Sequence, residues 1–308
     1  MLESIRLRPS ELDRHLECAQ SPDYWRALVP DLSVGANAPE RAAEQAVITP
    51  AELDEMAARF AEEGLVHTAP LIDEPLAAAM RAGVVALTRA DWPPVFAWIY
   101  DEFWQVPRSP SLIALFGRLL GPGYRQTPHI WTHLVAGRRG SAGWRPHVDH
   151  QGAGMRLTVW IALSDATLDS GCMCVIPRHL MPAHLAGRWH DLAAIERRDV
   201  LDLLHASRPL PVRAGSVLAW DASLVHWGSA RQSSGEPRIS FSMEFAAPDA
   251  DLPGVPFSIA GDDAAARPDY ETRLAIIARA IGLYQHGEPR AVRYAELGER
   301  LTERYSRG

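Results

Sequence analysis

Two short segments of this 308-residue chain carry residue types that can hold a metal ion. The first is His147-Val148-Asp149. In an extended segment, side chains two apart project from the same face, so an imidazole and a carboxylate can take adjacent positions on one ion. The second is His226, in SLVHWGSA, just after GSVLAWD (215–221), which reads as a strand. A histidine at the far end of a strand–turn–strand unit is placed to meet the first pair across a small barrel. Two histidines and one carboxylate make the facial triad of non-haem Fe(II) oxygenases, which leaves positions open on the metal. His-x-Asp by itself is a weak signal in a chain with 12 histidines, so the second segment carries the weight.

The segment RISFSMEF (238–245) alternates strictly. Ile239, Phe241, Met243 and Phe245 form an apolar face, and Arg238, Ser240, Ser242 and Glu244 a polar one. An arginine opening such a strand can send its guanidinium into a barrel and bind the far carboxylate of a dicarboxylate through paired, charge-assisted hydrogen bonds. Ser240, on the same face, can donate another.

These residues need elements to position them. Thr49-Pro50 before AELDEMAARFAEE, closed by Gly64, reads as a capped helix, with Leu53, Met56, Ala57 and Phe60 at helical spacing. Further helices are expected over Leu76 to Thr88 and from Ser109-Pro110 to Gly121, with a loop or flap over 21–48. From Tyr124 the texture changes to strands, expected at 129–136, 155–163, 172–177, 215–220 and 238–245. A helical insertion is expected over 188–206, and helices near 269–285 and 291–305. Strands flanked by helices point to a β core with helical buttresses, not a parallel nucleotide-binding sheet. No glycine-rich phosphate loop opens a helix. The chain reads as one domain: a mostly helical part to residue 123, a core over 124–247, then a loop and helices over 248–308.

A formal charge of -7 argues against a nucleic-acid partner, which would need a basic face. The three cysteines Cys18, Cys172 and Cys174 form no disulfide framework. MLESIRLRPSELDRH has no apolar signal region, and the longest apolar candidate, LAAAMRAGVVAL, is short and interrupted by Arg81. A cytoplasmic location without membrane contact is therefore expected.

Taken together, HVD, LTVWIALSDATLDSGCMCVIPRH, GSVLAWDASLVHWGSA and RISFSMEF resemble, in order, the blocks of the phytanoyl-CoA dioxygenase family of 2-oxoglutarate oxygenases. The likeness covers about Tyr124 to Ala247, and AELDEMAARFAEEGLV resembles the family's N-terminal helix. It implies a double-stranded β-helix (jelly-roll, cupin-like) fold, iron on His147, Asp149 and His226, and a cosubstrate arginine at Arg238. Trp160 matches a position beside the cosubstrate, and Ser229 the small polar position after the distal histidine. Implied cofactors are Fe(II) and 2-oxoglutarate, with molecular oxygen as cosubstrate. The implied reaction is oxidation of a C–H bond of a small metabolite or natural-product intermediate, releasing succinate and CO2. A carboxylate at 149 argues for hydroxylation or a related oxidation, because halogenases of related fold need a small residue there. Two departures stand out: Trp227 is inserted after His226, and Arg178 stands where glycine is common.

The loop GRRGSAGWRP (137–146) leads into the first ligand and should border the pocket mouth, where Arg138, Arg139 and Arg145 can receive an anionic group. Trp131, His133, Trp144 and Trp227 are candidate pocket walls, and His129, His150 and His179 read as structural. The competing readings are a cupin-type metal protein that does not use 2-oxoglutarate, a zinc hydrolase built on Asp149-His150, and a degenerate binding module. The hydrolase needs an H-x-H before the pair, and residue 145 is Arg.

Overall fold

A computed structural model describes residues 6–35, 44–185, 196–252, 257–285 and 288–305. Its strands are β1 Leu65–His67, β2 Arg125–Val135, β3 Arg156–Ala162, β4 Met173–Val175, β5 Arg208–Leu210, β6 Val217–Asp221, β7 His226–Gly228, β8 Arg238–Ala246 and β9 Ile259–Ala260. They form two sheets, ordered β1-β6-β3-β8-β2-β9 and β5-β4-β7, and every strand pair is antiparallel. This is the jelly-roll core expected from the sequence, set within helices that make up 42% of the described residues.

The strands of the large sheet are covered on both faces, which inverts the usual meaning of their alternation. On β8 the apolar face turns outward onto helices. Phe241 packs edge-on to Trp98 and Phe103, and Phe245 packs against Phe116 and Tyr124. The polar face turns inward, so that Arg238, Ser240 and Glu244 are only 2%, 0% and 5% exposed. Those polar residues therefore line the barrel and do not meet solvent. One contiguous apolar cluster runs from Leu7 near the N-terminus to Leu301 near the C-terminus and joins helices to sheet.

The helix Pro50–Glu63 has the expected capping box between Thr49 and Glu52, and ends at Gly64 in the left-handed region (φ 77°). The helix Glu74–Arg89 starts two residues before the expected position, because Asp73 caps it through Leu76 N–H. Pro110–Leu120 ends where expected. Within 21–48, expected as loop, Pro22–Leu28 is helical and capped by Ser21; residues 36–43 lie outside the described residues. Of the expected insertion over 188–206, Arg197–Ala206 is helical, and 186–195 lie outside the described residues. Tyr270–Tyr284 and Ala295–Tyr305 supply the C-terminal helices, with the short helix Pro289–Arg293 between them. The short strands β1, β5, β7 and β9 escaped the sequence reading because two or three residues carry no periodicity.

Candidate metal centre

A reciprocal backbone bridge clasps the two ligand segments together: His147 N–H donates to His226 C=O at 3.0 Å, and His226 N–H to His147 C=O at 2.9 Å. Asp149 N–H donates to Ala222 C=O at 2.9 Å, which pins the first segment to the turn after β6. The clasp brings one ligand atom from each of His147, Asp149 and His226 within 4.8 Å of one another; among the described residues no other group of metal-binding side chains is found.

The tautomers are set by the backbone. His147 Nδ1–H donates to Arg145 C=O at 2.7 Å and His226 Nδ1–H to Leu224 C=O at 3.0 Å. A carbonyl only accepts, so each neutral ring turns its Nε2 lone pair inward. These atoms stand 3.4 Å and 3.5 Å from the two oxygens of Asp149, and His147 Nε2 has no hydrogen-bond partner. Lone pairs facing a carboxylate repel unless a cation lies between them, so this donor set fits a divalent metal.

Asp149 is held by two residues the sequence reading did not single out. Thr158 Oγ1 donates to Asp149 Oδ2 at 2.7 Å and Trp220 Nε1 to the same oxygen at 3.3 Å. Thr158 and Trp160 are alternate inward residues of β3, and that period is the signal which would have exposed Thr158. Burial would raise the pKa of Asp149, but His226, His147 and the Thr158 hydroxyl outweigh it and hold the carboxyl well below the ordinary range. Burial lowers the pKa of His226. At His147 burial works the same way, yet Asp149 outweighs it and the pKa is raised.

The triad opens into a cavity lined also by His133, Gly143, Trp144, Trp160, Met173, Gly228, Arg238 and Ser242. Arg238 lies at its buried end. One guanidinium nitrogen donates to Gly171 C=O, its Nε has no partner, and no carboxylate among the described residues pairs with it. Burial brings its pKa down to about 10. A buried, unpaired cation costs several kcal/mol, and an incoming carboxylate would relieve that cost. Gly143 and Gly228 make room beside it: a Cβ on either would come within 2.7 Å or 2.9 Å of Arg238 Nη2.

The remaining sequence candidates divide. Trp160 and His133 line the cavity, and His133 Nε2 stands 3.0 Å from Ser242 Oγ. Ser240 is buried with its hydroxyl unpartnered and is not in the lining. Ser229 donates instead to Cys172 C=O at 2.8 Å, fastening β7 to β4. Trp227 alternates away from His226 and packs with Ile176, Leu185, Leu203 and Val225, so the inserted tryptophan is no pocket wall. Its insertion leaves Gly228 facing inward against Arg238. Arg178 donates to Asp221 at 2.7 Å and to Ala61 C=O at 2.9 Å, a tie between β6 and the helix Pro50–Glu63.

Trp144 and Trp131 pack at a tilt around Tyr284, with ring centroids 4.9 Å and 4.8 Å away. The sequence reading missed Tyr284 because it arrives from the C-terminal helix Tyr270–Tyr284. Beside Trp144 and His147 an open groove of about 810 Å³ contains Arg138 and Arg145 but not Arg139. A larger groove, about 1080 Å³, runs along Glu74–Arg89 and touches no residue of the triad.

A β-helix barrel holding two histidines and one carboxylate defines a non-haem metal oxygenase. The family model described as phytanoyl-CoA dioxygenase (PhyH) matches residues 42–240, and the chain belongs to that family. A similar solved structure is the epimerase SnoN in complex with Fe3+, alpha ketoglutarate and nogalamycin RO. It is 25% identical with a TM-score of 0.53, over 67% of this chain and 92% of that one. The carbocyclase SnoK from nogalamycin biosynthesis (20% identical, TM-score 0.53, 72% and 89% covered) and the non-heme monooxygenase ThoJ as its Ni complex (18%, 0.54, 77% and 99%) share the fold. No curated protein sequence matches the chain. The protein is an Fe(II)- and 2-oxoglutarate-dependent oxygenase that uses molecular oxygen, and a cupin-type protein that does without 2-oxoglutarate is not favoured.

Among the described residues no helix is long and apolar enough to cross a membrane.

Proposed function

We propose that His147, Asp149 and His226 hold ferrous iron and that Arg238 takes the far carboxylate of 2-oxoglutarate. On this reading the enzyme oxidises a C–H bond of a small natural-product-type molecule that enters along the groove beside loop 137–146. The observation that carries the reading is the shared cavity. It has inward Nε2 lone pairs and a carboxylate at one end, and a buried guanidinium with no carboxylate partner at the other. With iron and 2-oxoglutarate bound, the site supplies an oxidant strong enough for C–H bonds, and 2-oxoglutarate leaves as succinate and CO2.

The chain's own residues do the rest. Thr158 and Trp220 orient the Asp149 carboxylate, the backbone clasp sets the spacing of the two histidines, and Trp160 walls the cosubstrate cavity. The groove's volume suits a multi-ring scaffold, in keeping with the nogalamycin compound in SnoN, and Arg138 and Arg145 offer positive charge along it. We read residues 1–308 as one oxygenase domain, cytoplasmic, with a small-molecule substrate and no nucleic-acid partner.

Anaerobic addition of 2-oxoglutarate to the Fe(II)-loaded protein should produce a weak visible charge-transfer band. His147→Ala should lose iron, and Arg238→Ala should keep iron while weakening 2-oxoglutarate. A correctly loaded protein without the band, or unchanged cosubstrate affinity in Arg238→Ala, refutes the reading.

A further inference from the structure

The inner stripe of β8 that begins at Arg238 ends at Glu244, six residues and about 20 Å along the strand. Glu244 is 5% exposed and sits directly opposite Thr158 on β3, the residue that holds Asp149. Its carboxylate is therefore one side chain away from the metal centre, on the flank opposite the cosubstrate arginine.

Three groups converge on Glu244 Oε1. Thr127 Oγ1 donates at 2.9 Å, His129 Nδ1 at 2.9 Å and Arg156 Nη1 at 3.3 Å. The β2–β8 register breaks between Gln126 and Ile130, which places both Thr127 and His129 against the one carboxylate. A bulge that re-aims side chains next to an active site is a recurrent device. A carboxylate paired with Arg156 only accepts, so in its neutral form the His129 ring carries its proton on Nδ1 and its lone pair on Nε2. Nε2 has no partner among the described residues, and a quarter of the side chain stays exposed. The next inward residue of β2 is Trp131, which packs on Tyr284.

We propose that His129, oriented by Glu244, accepts a hydrogen bond at Nε2 from a free hydroxyl of the substrate. His129, which the sequence alone assigns to a structural role, thereby becomes a specificity-determining residue. It selects free hydroxyls over their ethers and sets the substrate's orientation toward the metal. This rests on the oxygenase reading above.

The test titrates phenol and its methyl ether, anisole, anaerobically into Zn(II)- and 2-oxoglutarate-loaded protein, following the 15N resonance of His129 Nε2. Phenol should shift that resonance and anisole should not, and phenol should bind about fivefold more tightly, the worth of one neutral hydrogen bond. His129→Phe should bring the ratio to about one, and His129→Gln should keep part of it. Equal binding of the two probes, no binding of either, or a preference that survives His129→Phe overturns the proposal. The 2-oxoglutarate charge-transfer band with Fe(II) is independent of His129 and reports separately. Its absence in the unsubstituted protein sinks the oxygenase reading, and its presence in His129→Phe shows that this variant is folded.

Discussion

Replacing Gly228 by alanine adds a single methyl group beside Arg238, in the cavity onto which the triad opens. That carbon would lie 2.8 Å from Gly143 Cα and 2.9 Å from Arg238 Nη2. Comfortable carbon contacts begin at about 3.5 Å, so β7 and the guanidinium must part by about 0.6 Å. The backbone of Gly228 is tied by its N–H to Trp144 C=O at 3.2 Å and is paired with Met173 of β4, so the Gly143 backbone and the guanidinium are the parts that move. A displaced guanidinium loses at least one of the two charge-assisted bonds it would make to the cosubstrate. Such a bond contributes about 1.5–3 kcal/mol, which corresponds to a loss of about 10- to 150-fold in affinity for 2-oxoglutarate. The metal ligands are not in the path of the methyl group, and iron affinity should change less than twofold. The assay is an anaerobic titration of 2-oxoglutarate into Fe(II)-loaded Gly228→Ala, read by the charge-transfer band, beside an independent metal titration. Wild-type cosubstrate affinity, or equal losses of iron and cosubstrate, would refute the claim that Gly228 exists to seat Arg238.

Two further outcomes follow from the geometry. Burial and the nearby Arg238 push the pKa of His133 down to about 3, so between that value and its ordinary 6.5 the unfolded chain binds a proton that the folded one does not. Stability of the metal-free protein should therefore fall as pH drops through that window, by at most about 1.4 kcal/mol per pH unit from this residue; a His133→Gln variant whose denaturation midpoints track the parent's at every pH would count against it. Trp227→Ala should cost about 2–4 kcal/mol of stability through the void it leaves beside Ile176 and Val225, while 2-oxoglutarate affinity stays put. Weakened cosubstrate binding in that variant would return Trp227 to the pocket.

Local chemistry made much of this protein legible in its one-dimensional text. The period-two alternation of 238–245, the same-face pair at 147 and 149 and the capped helix at 50–63 are each written in neighbouring residues, and each recurs in three dimensions. Which way an alternating strand faces is another matter. The polar stripe of β8 faces the interior only because the helices carrying Trp98, Phe103 and Phe116 arrive to cover the opposite side. The hydrogen bond from Trp220 to Asp149, the approach of Gly143 to Gly228 and the arrival of Tyr284 join residues far apart in the chain. No local pattern encodes these contacts, because they exist only where the antiparallel register and the clasp between His147 and His226 bring distant segments within bonding distance.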